Sequence, residues 1–157
     1  ADFDIFTWVF MDVWGQLPNS PVEAISKGDT ALTAFVPTDA AFRNLVKYLT
    51  GKTLKSERAV ANAVMSLGAD TVEKVILYHV IVGDPILSPD ALKANGAKLN
   101  AASGETVGVK VSGTTITLID KVKKHKNPVV ILSAVDINKG NKQVAHAINQ
   151  VLLPTLK

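Results

Sequence analysis

The chain has 157 residues, of which 47% are hydrophobic and 20% charged, with a net charge of +3 and no cysteine. This composition is typical of a folded domain that has no disulfide scaffold, thiolate metal site or thiol nucleophile. The basic excess is too slight for a nucleic-acid-binding face, and no apolar run approaches the roughly 20 residues that span a bilayer. We therefore expect a single domain over residues 1–157, with a helical lead-in over 1–30 and a core over 31–157.

The first predicted element is an aromatic-rich helix near the amino terminus. Five of the nine aromatic residues fall in this segment: Phe3, Phe6, Trp8, Phe10 and Trp14. Apolar side chains run nearly all the way round such a helix, whereas an ordinary surface helix shows a single apolar stripe. The helix is therefore either packed deep in the fold, which is the simpler interpretation, or offers its surplus apolar surface to a ligand.

The amino-terminal half is predicted to contain helices and one buried strand. Capping residues and helix-ending glycines mark the helix boundaries. The apolar run that ends at Pro37 predicts a strand that passes directly into a helix capped by Thr38 or Asp39, and Asp70 is the expected cap of a later helix. The predicted elements are a helix over 20–28, a strand over 31–37, and helices over 38–51, 56–68 and 70–79.

The carboxyl-terminal half is richer in strands. Ser88 and Pro89 open a short helix that is predicted to reach Gly96. Alternating apolar and polar residues on either side of Ser112 and Gly113 predict a β-hairpin. Because helices come first and strands follow, the pattern favours the α+β class. The predicted strands are 105–111, 114–120, 127–137 and 142–154.

Signatures of the common enzyme classes do not occur in the sequence. The residues TGKT at 50–53 lack the earlier glycine of a phosphate-binding loop, and they end a helix instead of opening one. Asp39, Glu73 and Asp136 have simpler interpretations as a helix cap, a capping-box partner and a strand-end residue. Two of the three histidines lie in apolar runs without neighbouring acids. We therefore expect no catalytic residue, no metal site and no cofactor.

The basic run over residues 120–128 is a candidate contact for an anionic partner. Its lysines Lys123, Lys124 and Lys126 could meet a sulfated polysaccharide, acidic lipid headgroups or nucleic-acid phosphates. The alternative is a solvated loop between strands, which we favour on general grounds because exposed charge runs usually serve solubility.

Three motifs in order carry a family resemblance: "LTAFVPTDAAF" at 32–42, "LYHVIVG" at 77–83 and "VAHAINQVLLP" at 144–154. Together they resemble the fasciclin-like, or FAS1, family. The first is similar to the family's strand-to-helix signature, the second to its Tyr-His motif, and the third to its downstream signature. The matching signature residues outside the Tyr-His motif are Phe35, Pro37, Thr38, Asp39, Phe42, His146, Leu153 and Pro154.

The resemblance implies an α+β wedge in which a β-sandwich packs against a layer of several helices. It also implies a non-catalytic adhesion or interaction module, secreted or on the cell surface, that binds a protein or glycan of the cell surface or matrix. Some fasciclin-like proteins carry an apolar small molecule such as a carotenoid or lipid. For that alternative the aromatic helix supplies the candidate site residues Phe6, Trp8, Phe10 and Trp14.

Tyr78 and His79 of the second motif are candidate partner-binding residues, because the family's Tyr-His region has been linked to integrin recognition. A histidine in an apolar run is, however, more often a buried structural residue than a ligand or a base. We therefore predict that His79 is buried and that its imidazole hydrogen-bonds a polar group buried with it, Asp39 or Thr38.

Overall fold

The computed structural model describes residues 3–18, 23, 31–83, 85–122, 127–131, 134–137 and 142–154. Apart from Glu23, the predicted helix over 20–28 lies outside the described residues, as do Lys123, Lys124 and Lys126. The helices are α1 (Asp4–Gln16), α2 (Asp39–Thr50), α3 (Glu57–Met65), α4 (Ala69–Tyr78) and α5 (Ser88–Leu92). The strands are β1 (Leu32–Pro37), β2 (Val80–Val82), β3 (Lys98–Asn100), β4 (Thr106–Ser112), β5 (Thr115–Ile119) and β6 (Gln143–Ile148).

Local sequence explains the boundaries of α2 and the start of α3. The Thr38 hydroxyl oxygen accepts the N–H of Ala41 at 3.2 Å, and Gly51 ends α2 in the left-handed conformation with φ 74°. Ser56 caps α3 in the same way, by accepting the N–H of Ala59 at 3.3 Å. Hydroxyl caps satisfy amides at a helix start that have no partner within the helix, and glycine adopts the left-handed conformation with least strain.

Two predicted boundaries in the middle of the chain are wrong. Helix α4 begins at Ala69 with Gly68 in the N-cap position, so Asp70 lies in the first turn and is not the cap. An acid there still interacts favourably with the helix dipole. Helix α5 ends at Leu92, well before Gly96. The short strands β2 and β3 were not predicted, because three residues are too few to show a clear alternation.

The strands form two three-stranded sheets. The first has the order β2-β1-β6, in which β1 is antiparallel to β2 and parallel to β6. Phe35 pairs with His146, and Pro37 pairs with Ile148. The second sheet has the order β3-β4-β5 and is antiparallel, with the predicted hairpin at Gly113. All three motifs therefore contribute a strand to the first sheet, with the strand of the first motif between those of the second and third.

The segment 127–137 does not form the continuous strand that its apolar pattern predicted. Its described residues make isolated bridges: Val129 with Thr117, Val130 with Ile148, and Ile137 with Ala145. Asp136 has φ 55°, which breaks the extended backbone. Because Thr117 belongs to the second sheet and Ile148 to the first, the segment links the two sheets.

Two hydrophobic cores meet at the carboxyl-terminal motif. One core lies within the helical layer and includes Leu153, and the other lies between the sheets and includes Phe35, Tyr78 and Leu152. Adjacent residues of one motif thus enter different cores. The α+β class, with a sandwich packed against a helical layer, is confirmed. No described helix is long and apolar enough to cross a membrane.

Candidate functional site

Tyr78 is fully buried at the end of α4. Its hydroxyl donates a hydrogen bond to the carbonyl oxygen of Thr106 at 2.7 Å, which connects the helical layer to the start of β4. Burial, reinforced by the nearby charges of Asp120 and Glu105, raises the pKa of the phenol above its ordinary value. The hydroxyl therefore stays protonated at physiological pH and acts as a hydrogen-bond donor within the fold.

His79 follows directly and is only 3% exposed, so the prediction that it is buried is confirmed. Its Nδ1 lies 2.6 Å from the carbonyl oxygen of Val75, and its Nε2 accepts the N–H of Leu152 at 2.8 Å. The predicted partners Asp39 and Thr38 are wrong, because backbone groups occupy both ring nitrogens.

The chemistry of these two contacts selects one form of the His79 ring. The Val75 carbonyl requires a proton on Nδ1, whereas the Leu152 amide requires a lone pair on Nε2. Desolvation by burial lowers the pKa of His79 to about 4, against a smaller opposite effect of the Val75 carbonyl. The ring is therefore neutral at physiological pH and serves as a connector.

His79 lies where the three motifs meet. Its backbone carbonyl accepts the N–H of Phe35 at 2.8 Å, from the first motif, and its ring holds Leu152 of the third. The first and third motifs also join directly, since the Thr38 N–H donates to the carbonyl oxygen of Ile148 at 3.2 Å. Motifs separated in sequence thus form one hydrogen-bonded junction.

Asp120, the first residue of the basic run, is also hydrogen-bonded to this junction. Its carboxylate accepts the N–H of Leu153 at 3.0 Å and the N–H of Val122 at 3.2 Å. Burial raises the pKa of Asp120 to about 6, even though the accepted hydrogen bonds favour the charged form. Sequence patterns did not single out Asp120 as a site residue, because its partner Leu153 lies 33 residues away.

Lys121, the second residue of the basic run, connects the start of this run to the surroundings of Tyr78. Its N–H donates to the carbonyl oxygen of Leu153 at 3.1 Å, and its Nζ lies 3.1 Å from the Thr106 hydroxyl oxygen. Thr106 is also the residue whose carbonyl holds Tyr78. The structure therefore brings the Tyr-His motif together with the first residues of the basic run.

Asp39 has a role that its position in the first motif did not reveal. Its Oδ1 accepts the N–H of Ile5 at 2.8 Å, so it caps α1 from a distant part of the chain. Asp4, Asp39 and Glu57 also bring carboxylate oxygens within 4.8 Å of one another, an arrangement that could hold a metal ion. Acidic groups of this kind are common without one, and the exposed Asp4 is open to solvent.

Ser88, Asp136 and His146 lie together but do not have the geometry of a hydrolytic triad. The Ser88 hydroxyl donates to the Asp136 carboxylate at 2.6 Å, not to the imidazole. His146 Nε2 lies 2.6 Å from the carbonyl oxygen of Ile86, and its Nδ1 accepts the Asp136 N–H at 3.1 Å. Because the Ser88 hydroxyl does not donate to the imidazole, His146 does not activate it as a nucleophile. The cluster instead holds the segment that begins at Ile86 against the first sheet.

The aromatic helix packs mainly against the helical layer. Phe6, Phe10 and Trp14 form a chain of ring contacts with centroids 6.4 and 6.2 Å apart, and Arg58 lies 5.7 Å from the Trp8 ring. The cavity that Phe6 helps to line in the helical core has a volume of about 20 Å³. That volume holds about one water molecule, so an apolar ligand does not fit in it. Phe6 also lines a second cavity of about 170 Å³, which lies against β1 and β6.

Comparison with known proteins gives a family and a fold. The family model of the Fasciclin domain matches residues 19–154. Among solved structures, the chain is similar to a FAS1 domain pair from the insect cell adhesion molecule Fasciclin I, with 16% identity and a TM-score of 0.56. The match covers 91% of this chain but 43% of that one, so this chain spans less than half of its length. A search of curated proteins finds no match.

Proposed function

Because this chain belongs to the fasciclin domain family, we propose that it is a non-catalytic adhesion module, secreted or on the cell surface, that binds a protein or glycan. The main observation behind this proposal is that the polar side chains of the Tyr-His motif and the downstream signature form hydrogen bonds within the protein. The Tyr78 hydroxyl and both ring nitrogens of His79 and His146 have hydrogen-bond partners within the protein. Recognition therefore falls to the surface that these residues support.

Lys121, at the start of the basic run, is hydrogen-bonded to the buried junction. Lys121 contacts both Thr106 and Leu153, which in turn hold Tyr78 and Asp120. Lys123, Lys124 and Lys126 follow Lys121 within five residues of the sequence and make this run the most concentrated cluster of basic residues. We therefore assign Lys123, Lys124 and Lys126 to an anionic partner, either a sulfated glycan or an acidic protein face.

The test is attachment to the immobilised domain. Cells and sulfated matrix glycans are applied to the wild-type chain and to a variant with Lys123→Gln, Lys124→Gln and Lys126→Gln. The matched control changes the same amount of charge at exposed positions in and after α2, with Lys47→Gln, Lys52→Gln and Lys55→Gln. We expect attachment to fall severalfold in the first variant and to persist in the control, with a steep dependence on salt.

The variant Tyr78→Phe tests whether Tyr78 supports the binding surface from within the fold or contacts the partner itself. It removes the hydroxyl that holds Thr106 and keeps the buried ring, so the variant should fold and lose only part of the attachment. Attachment by none of the proteins refutes the adhesion proposal. Equal loss in both lysine variants shows that total charge, rather than the basic run, is what the partner senses, and refutes the assigned surface.

A further inference from the structure

A cavity with apolar walls lies between α5 and the second sheet, and its volume is about 230 Å³. It is lined on one side by buried side chains of Phe35, Val109, Ile116 and Leu118. On the other side half-buried apolar residues of the 86–94 segment face it, with one acid among them. The cavity is not fully enclosed, since the exposed Asp90 lies in its wall.

The segment over the cavity is fastened at its first end to the first sheet. The Ile86 N–H donates to the Thr33 hydroxyl oxygen at 2.7 Å, and the Ile86 carbonyl oxygen lies 2.6 Å from His146 Nε2. Ser88 adds an N–H and a hydroxyl contact to the Asp136 carboxylate, at 2.7 and 2.6 Å. This end of the segment is held by four hydrogen bonds.

Its second end is fastened to β4 of the other sheet. The Gly96 N–H donates to the Val109 carbonyl oxygen at 2.8 Å, and the Val109 N–H donates to Ala97 at 2.9 Å. Asn95 accepts the N–H of Val111 at 2.8 Å. The segment therefore bridges the two sheets, and the cavity beneath it is preformed, as small-molecule sites usually are.

The cavity walls indicate the chemical class of the ligand. An engineered apolar cavity of roughly 150 Å³ binds benzene, so a volume of about 230 Å³ suits a compact body slightly larger than one ring. Asp90 is the one charged residue that lines the cavity; it is exposed, and within the described ranges no other side chain pairs with its carboxylate. An ammonium group complements that charge.

We infer that this cavity binds a compact apolar molecule with a cationic head, such as an arylalkylamine, whose ring lies under α5 and whose ammonium meets Asp90. His146 is a positioning residue for the site, because it holds the Ile86 carbonyl and its ring lies 5.9 Å from that of Phe35. None of the described residues that line the site belongs to the aromatic helix. It adds a small-molecule function to the proposed adhesion module.

The test titrates phenethylamine, ethylbenzene and phenylacetate into the full chain and follows the methyl signals of Val109, Ile116 and Leu118 by NMR. We expect saturable shifts at these methyls, with the amine binding roughly two- to fivefold more tightly than the neutral molecule and the anion weakest. Asp90→Asn should abolish the preference for the amine and keep the binding of the ring.

A cavity-filling variant and its matched control complete the test. Ala91→Leu adds a side chain to the cavity wall and should remove saturable binding, whereas Ala40→Leu places the same side chain on an exposed position of α2 and should not. No saturable shift of the cavity methyls with any probe overturns the site. Equal affinity for amine and acid overturns the assigned head group. Because wild-type shifts locate the site by themselves, the test does not depend on the folding of Ala91→Leu.

Discussion

Replacing Asp120 by asparagine is expected to reveal a pH dependence of stability that two buried groups nearly cancel in the native protein. His79 and Asp120 are 3% and 8% exposed. Burial lowers the pKa of His79 to about 4 and raises that of Asp120 to about 6. Both shifts disfavour the charged form, but the two residues are charged at opposite ends of this pH range.

The signs follow from which state of the chain binds the proton more tightly. The unfolded chain binds the proton of His79 more tightly than the folded chain does. The stability that the neutral ring provides above pH 6.5 is therefore lost as the pH falls toward 4. The folded chain binds the proton of Asp120 more tightly than the unfolded chain does. The stability that the protonated carboxyl gives the fold is therefore present below pH 3.8 and is lost as the pH rises through 6. From pH 7 to pH 4, His79 removes about 3 kcal/mol of unfolding free energy and Asp120 adds about 2 kcal/mol.

The assay is urea unfolding followed by tryptophan fluorescence, at steps between pH 4 and 7 and constant ionic strength. Asp120→Asn should lose about 3 kcal/mol of stability over this range relative to its own value at pH 7, whereas His79→Gln should gain about 2 kcal/mol. Each substitution also carries a constant cost of about 1–3 kcal/mol for altered hydrogen bonds, which does not change the slope. The double variant lacks both contributions, so its change between pH 7 and pH 4 should lie within about 1 kcal/mol of the wild-type change. Parallel profiles for Asp120→Asn and wild type would refute the reasoning.

Three further predictions concern stability, each measured as the free energy of unfolding in urea. Asp39→Ala should cost about 1–2 kcal/mol because an amide at the start of α1 loses its acceptor, and Asp39→Asn should cost less; equal losses would contradict the capping role. Gly51→Ala should destabilise by about 1 kcal/mol because its φ is 74°, whereas Gly15→Ala, at an exposed position inside α1 with open space around it, should stabilise by roughly 0.5–1 kcal/mol; the same sign for both would contradict the conformational argument. Tyr78→Phe should cost about 1 kcal/mol through the lost hydrogen bond to β4, and an unchanged midpoint would mean that this bond contributes nothing.

Local features made most helices and the hairpin predictable. Thr38, Ser56 and Gly51 act through partners within four residues, so their capping roles can be inferred from neighbouring sequence alone. The prediction of a strand over 127–137 was wrong because it used only the local sequence. Its apolar run has the composition of a strand, but the left-handed backbone of Asp136 and pairing with two different sheets divide it into bridges.

The three motifs identified the family resemblance but not the work of their side chains. The sequence predicted that His79 is buried, and it did not predict the backbone partners Val75 and Leu152. Asp120 escaped notice as a site residue because its carboxylate is defined by Leu153, far along the chain. The cavity beneath α5 was equally unpredictable, since its walls come from both sheets and the segment that joins them.

The sequence by itself determined the α+β class, the positions of most helices and of the β4–β5 hairpin, the three ordered motifs and the absence of common catalytic signatures, because capping, periodicity and residue spacing are properties of short stretches of chain. The tertiary structure alone decided that the motifs meet at His79, that Asp39 caps α1, and that a cavity remains between the sheets. Those outcomes depend on contacts between distant segments, and the burial that shifts the pKa values of His79 and Asp120 exists only once both cores have closed around them.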